Sequence, residues 1–290
     1  MRTSILVSLY FTLLCLFHSS YSQPTKDASQ AKNHYGSYGK SQWWIGLNVG
    51  INKNKGFGNQ TYTTATILSN DDSPKKTSYG AFNDIGWSLG IDISYELSFL
   101  TFSSTPMFRS SSFDYSWTIT RSSGSETITD IYNQATRIQS YSLPLTIRYV
   151  FLKQKKFKPS LFLGGYLDLV NFSLGTIHTQ EIQTSGSSST VSEESFLNSI
   201  VISDKLSPLN YGVFGGIGFS YDINDLRIGM DISYRLGLSN MAAEDTRFND
   251  NELNTIDGVL DDFKLHTIQL AFTVSMPLKY IYSRYYKRVK

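Results

Sequence analysis

Four acids, Asp92, Glu96, Asp168 and Asp231, and four arginines, Arg109, Arg148, Arg227 and Arg235, stand on the polar face of stretches in which apolar and small or polar residues alternate. An arginine offers a forked, permanently charged donor that fits a carboxylate. Eight such groups on one kind of face imply mutual neutralisation, a charge network rather than a reaction centre. Beyond the first 22 residues, histidines that could act as bases are few: His34, His178 and His266. His266 follows Asp261 and Asp262, where a rim hydrolase would carry its base. No Asp-x-His or His-x-Ser spacing accompanies it, so no enzyme is expected. Residues 244–262 hold Glu244, Asp245, Asp250, Glu252, Asp257, Asp261 and Asp262 against Arg247. The run lacks the spaced Asp-x-Asn-x-Asp-Gly ligands of a calcium loop and reads as a solvated acidic loop without metal. Gly212-Val213-Phe214-Gly215-Gly216-Ile217-Gly218 looks superficially like a dinucleotide fingerprint. The segment after it alternates like a strand where a helix would be needed, so no cofactor is expected and the glycines belong to a tightly curved strand.

Period two sets the elements that position these groups. Between residues 86 and 97, Trp87, Leu89, Ile91, Ile93, Tyr95 and Leu97 share one face, and Gly86, Ser88, Gly90, Asp92, Ser94 and Glu96 the other. The pattern recurs in 43–52, 140–149, 209–220, 226–238 and 267–278. It is weaker in 99–120, where Pro106 breaks the register, and in 159–172, which carries apolar residues on both faces. Eight segments result. About ten residues at ~3.3 Å each and a ~40° tilt rise about 25 Å, the height of an outer-membrane apolar band. Long, short, medium and short joins alternate: 53–84, a turn near Ser98, 121–136, 152–158, then 173–208, a tight turn at 223–225, and 239–263. That rhythm places long loops on one rim and tight turns on the other.

The first residues set the compartment. Arg2, an apolar run over residues 5–17 and Ser20-Tyr21-Ser22 before Gln23 read as a secretory signal, with 1–22 removed. The only cysteine, Cys15, lies within the apolar run, where Leu14 does not suit lipidation, so disulfide and thiol chemistry are not expected. Residues 23–41 read as a flexible periplasmic lead-in, 42–278 as the barrel and 279–290 as a basic periplasmic tail.

A soluble sandwich would bury the same apolar faces against a second sheet. Aromatic residues make up 14% of the chain against 17% charged. Trp43, Trp87, Tyr95, Tyr141, Tyr149, Tyr211, Tyr221 and Tyr234 lie on the apolar face, many near strand ends, as membrane-interface girdles do. The other face is Gly, Ser, Thr and Asn, small enough for a narrow lumen. The expected fold is therefore an all-β, eight-stranded antiparallel up-and-down transmembrane β-barrel in the bacterial outer membrane, with long extracellular loops and short periplasmic turns. An arginine facing lipid at the midplane costs roughly 2–4 kcal/mol, so the eight charges turn inward and plug the lumen. At the periplasmic rim, Lys153, Lys155, Lys156 and Lys158 and the tail's Lys279, Arg284, Lys287, Arg288 and Lys290 form a basic belt. Its expected partners are outer-membrane lipid headgroups or a periplasmic envelope protein; the compartment excludes nucleic acid.

Ser142-Leu143-Pro144-Leu145-Thr146-Ile147-Arg148-Tyr149-Val150-Phe151 resembles the "IPLLLKY" strand of the PorT-like outer-membrane β-barrel family of Bacteroidota. Lys158-Pro159-Ser160-Leu161-Phe162-Leu163-Gly164-Gly165 resembles the strand after it, and the glycine-rich segment from Gly212 fits the next hairpin. The resemblance implies a non-enzymatic envelope barrel, in some relatives accessory to type IX protein secretion, and carries no catalytic residues. A narrow channel is the alternative reading, and a rim hydrolase using His266 the third.

Overall fold

Outward and inward residues alternate along each strand, and that alternation wraps the chain into a ring. The computed structural model describes residues 42–60, 76–82, 84–123, 126–152, 155–185, 188–248 and 259–278; the expected signal, lead-in and basic tail lie outside them. The strands are β1 (Gln42–Gln60), β2 (Lys76–Tyr79), β3 (Ile85–Leu97), β4 (Leu100–Ser104), β5 (Met107–Ser123), β6 (Glu126–Val150), β7 (Phe157–Ser185), β8 (Ser188–Val201), β9 (Leu209–Ile223), β10 (Leu226–Gly237) and β11 (Asp262–Pro277). Every pairing is antiparallel. The ladder runs from β1 through β3, the β4–β5 pair, β6, β7, β9 and β10 to β11, and β11 returns to β1 from Trp44↔Pro277 to Gln60↔Asp262. Closure removes the free edges an open sheet would expose. The all-β antiparallel barrel is as expected, but among the described residues the eight segments become eleven strands.

Each departure has a local cause. Pro106 has no N–H to give the ladder. The segment 99–120 therefore splits into β4, paired with β3 and β6, and β5, which resumes pairing with β3 at Gly90↔Met107. The joins expected over 121–136 and 173–208 are largely strand. β5 and β6 stay paired up to Ser123↔Glu126, β6 and β7 up to Glu126↔Ser185, and β8 adds beyond them. Thr129 lies opposite Ile182 and Tyr132 opposite Thr179 on β6 and β7, and such β-branched and aromatic pairs keep a sheet going once its backbone is paired. The opposite rim is tight. Ser98 and Asn224 turn it with positive φ, 52° and 54°, a conformation asparagine tolerates better than most residues.

The protein has two apolar regions of opposite sense. Leu47, Val49, Ile51, Leu89, Ile91, Leu145, Leu163 and Phe272 face outward and remain exposed, as lipid-facing side chains must. Above that band lies a buried core of Phe113, Tyr115, Trp117, Tyr132, Ile138, Ile177, Ile202, Leu206, Met241 and Phe263. Backbone bonds draw the loops over it: Ser207 N–H to Met241 O at 2.8 Å and Met241 N–H to Phe263 O at 2.8 Å.

Candidate functional site: the charged lumen

Three tiers of arginine occupy the ring's interior, each with a carboxylate and an aromatic face. At the rim of tight turns, Arg227 donates from Nη1 to Glu96 Oε2 at 3.0 Å and from Nε to Asp222 Oδ1 at 2.7 Å, lying 4.0 Å from the Trp44 ring centre. Lys158 also donates to Asp222. In the middle tier Arg148 is bidentate to Asp231, at 2.8 and 2.7 Å, and rests 4.7 Å from Phe162. Asp92 accepts from Thr105 at 3.1 Å nearby. In the upper tier Arg235 donates to both oxygens of Asp168, at 2.9 and 3.1 Å, and stacks 3.8 Å from Tyr166. Arg109 closes it, 3.6 Å from Asp168 and donating to Asn54 at 2.9 Å and Thr267 at 2.7 Å. All eight charges named from the sequence thus line one lumen. With Lys158 and Asp222 added, five cations share four acids in ion pairs there, and charges removed from water need such partners.

Several participants escape a reading of period alone. Asp222 follows outward-facing Tyr221, so alternation turns it inward, although its place beside the 223–225 turn disguises it. Phe162 and Tyr166 supply the second apolar face of 159–172, and Phe214, which interrupts the polar face of β9, lies 6.3 Å from Phe162. Space for the middle tier comes from Gly218, where a Cβ would stand 2.2 Å from Arg148 Nη1 and 2.4 Å from Asp231 Oδ1.

Among the described residues the space in the lumen is divided. A cavity of about 120 Å³ beside the middle and lower tiers, lined by Asn48, Asp92, Glu96, Arg148, Asp231 and Phe214 among others, has room for about four waters at ~30 Å³ each. Above the Arg109–Asp168 pair the space shrinks to about 20 Å³ under Ile138, Met241 and Leu265, and the aromatic core covers it.

The expected interface residues all face outward, in two rings. Trp43 and Tyr95, 4.8 Å apart, stand with Tyr149 and Tyr221 near the tight turns. Trp87 and Tyr141 flank Phe108, 5.5 and 5.7 Å from it, near the other rim with Tyr211 and Tyr234. The basic rim needs correcting. Lys158 is buried, because β7 begins at Phe157 and its second residue points into the lumen. Lys155 and Lys156 are exposed, while Lys153, Lys279, Arg284, Lys287, Arg288 and Lys290 lie outside the described residues.

The acids expected in a solvated loop are also partly inside. Asp261 is buried and accepts from the Tyr115 hydroxyl at 3.1 Å. Asp262 accepts from Arg247 and, at 2.6 Å, from Asn240. His266 instead faces outward, its Nδ1 2.8 Å from the Tyr234 hydroxyl and its ring 4.2 Å from Phe57. Above the membrane band, burial and the nearby Asp261 and Asp262 push the Tyr79 hydroxyl up from its ordinary value. Among the described residues no three His, Cys, Asp or Glu side chains group as metal ligands.

A family model described as "Outer membrane protein beta-barrel domain" matches residues 76–243. No curated protein matches the chain. Among solved structures it is similar to Neisserial surface protein A at 13% identity, over 82% of this chain and 98% of that one, with a TM-score of 0.34. It is similar to OprG from Pseudomonas aeruginosa at 10% identity, over 82% and 98%, with a TM-score of 0.36. Ail of Yersinia pestis shares 11% identity over 81% and 99%, with a TM-score of 0.24.

Proposed function

The chain belongs to the outer membrane protein beta-barrel domain family, and from that premise we propose that it is a closed, non-enzymatic barrel of the bacterial outer membrane that works through its two rims as a structural or interaction component of the cell envelope. One observation supports this reading: among the described residues the lumen holds ion-paired side chains beneath a buried aromatic core, an arrangement that suits a plug better than a pore. A structure made for transport would keep a continuous polar channel. The parts left for work are the sheet that β5 to β8 raise above the membrane and the exposed Lys155 and Lys156 below it.

Planar-bilayer recording tests the reading. The reconstituted barrel gives no steady current; a steady current that changes when Arg148 or Arg235 is neutralised would establish a channel instead. The strand around Pro144 and Arg148 supports the finer placement among PorT-like barrels, and with it an accessory role in protein secretion through a periplasmic partner at the basic rim. Co-purification of tagged protein from the outer membrane tests that placement, and recovery of the barrel without any secretion component would remove it.

A further inference from the structure

The outward face is apolar through the membrane band, yet on two neighbouring strands it ends in lysine. Lys53 and Lys55 continue the outward row of Leu47, Val49 and Ile51 on β1, and Lys264 continues that of Ile268, Leu270 and Phe272 on β11. The register sets Lys53 opposite Ile268, Lys55 opposite His266 and Phe57 opposite Lys264. All three ammonium groups therefore spring from one patch, with Cβ atoms about 5–8 Å from their neighbours.

Their height is set by the upper aromatic ring. Ile51 pairs with Trp87, so Lys53 and Lys55 stand two and four residues above the ring, roughly 5 and 10 Å at the strand rise and tilt. That is the headgroup layer. Both chain ends of the barrel leave at the rim of tight turns, so this headgroup layer is the outer leaflet. Among the lysines lies an aromatic group: Phe57, opposite Lys264, has Lys55 Nζ 5.1 Å from its ring centre, His266, opposite Lys55, packs against Phe57, and Tyr234 is hydrogen-bonded to His266.

No ion pair among the described residues involves Lys53, Lys55 or Lys264. Of the described carboxylates on the adjoining segments, Asp262 is paired with Arg247 and Asn240, and Asp84 is hydrogen-bonded to Asp114. We infer that Lys53, Lys55 and Lys264, with the Phe57–His266–Tyr234 group, form a docking site for one phosphorylated glycolipid of the outer leaflet. The ammonium groups take its phosphates and the aromatic rings pack against its sugars.

The mature barrel, purified in detergent, is titrated with bisphosphorylated lipid A, with the same lipid stripped of both phosphates, with phosphatidylglycerol and with inorganic phosphate. Native mass spectrometry counts the bound lipid, and heat-modifiable electrophoretic mobility confirms folding. Bisphosphorylated lipid A binds. The K53Q/K55Q/K264Q variant binds it about a hundredfold more weakly, from about fivefold per lysine. The phosphate-free lipid binds as weakly as that variant does, K155Q/K156Q at the opposite rim binds like the parent, and excess inorganic phosphate displaces nothing. Equal affinity in the triple variant, retention of the phosphate-free lipid, equal binding of phosphatidylglycerol, or displacement by inorganic phosphate would each overturn the assignment. Should the triple variant fail to fold, the three single variants, each expected about fivefold weaker, decide it in its place.

Discussion

An arginine inside a narrow barrel needs a counter-charge, acceptors for its N–H groups and a flat surface for its faces. Arg148 finds all three in Asp231, Ser160 and Phe162, in space that Gly218 leaves open. The same combination at Arg227 and Arg235 makes the tiers repeats of one device. Removing one partner strands the other charge away from water, whereas removing both does not. Arg148→Leu is therefore expected to cost about 3 kcal/mol of stability, and Arg148→Leu with Asp231→Leu distinctly less. Urea unfolding in lipid vesicles measures both, and a double variant as unstable as the single one would show that the pair is not the unit of stability.

At the scale of elements, the notable feature is strand that continues beyond the membrane. Asp114 lies six residues past Phe108 on β5, roughly 15 Å above the upper aromatic ring, and its backbone carbonyl accepts from the Gly80 N–H at 3.0 Å. Burial, with a hydrogen bond and like charge from Asp84, pushes the Asp114 carboxyl up to about 6. Its folded form thus keeps a proton that the unfolded chain releases near the ordinary carboxylate value. Stability from this pair is present below about pH 4, falls as pH rises to about 6, and is gone above that. Amide exchange at Gly80, corrected for intrinsic rate, is expected to be slower at pH 5 than at pH 7.5, and Asp114→Asn should abolish the difference. Protection independent of pH in the parent would contradict this account.

For the molecule as a whole, lipid and protein divide the apolar surface between them. The outward band is solvated by acyl chains, while the core around Trp117 and Phe263 is dry and internal. Only the second can stay buried in water. In buffer without detergent the mature chain is expected to aggregate or remain unfolded, and to gain heat-modifiable electrophoretic mobility when lipid vesicles are added. A folded monomer in plain buffer would mean that another protein layer covers the band.

Much of this was legible in the residues themselves. Period two predicts strands, and it predicts which side chain turns inward because successive Cβ atoms point to opposite faces; the Trp and Tyr positions follow from the same rule. Hence Asp92, Glu96, Arg148 and Arg235 could be assigned to one face before any partner was known. Which acid each arginine meets was not legible, since Arg148 and Asp231 are joined only by ring closure and shear, properties of the whole barrel. Nor was the fate of 121–136 and 173–208, because a polar, β-branched stretch becomes loop or strand according to whether a neighbour offers a backbone to pair with. Lys158 turned inward for a related reason: where β7 begins sets its parity, and the pairing of Phe157 with Tyr221 sets where β7 begins. Local alternation is written in covalent geometry, whereas the choice of partner across the lumen is made only when the sheet closes.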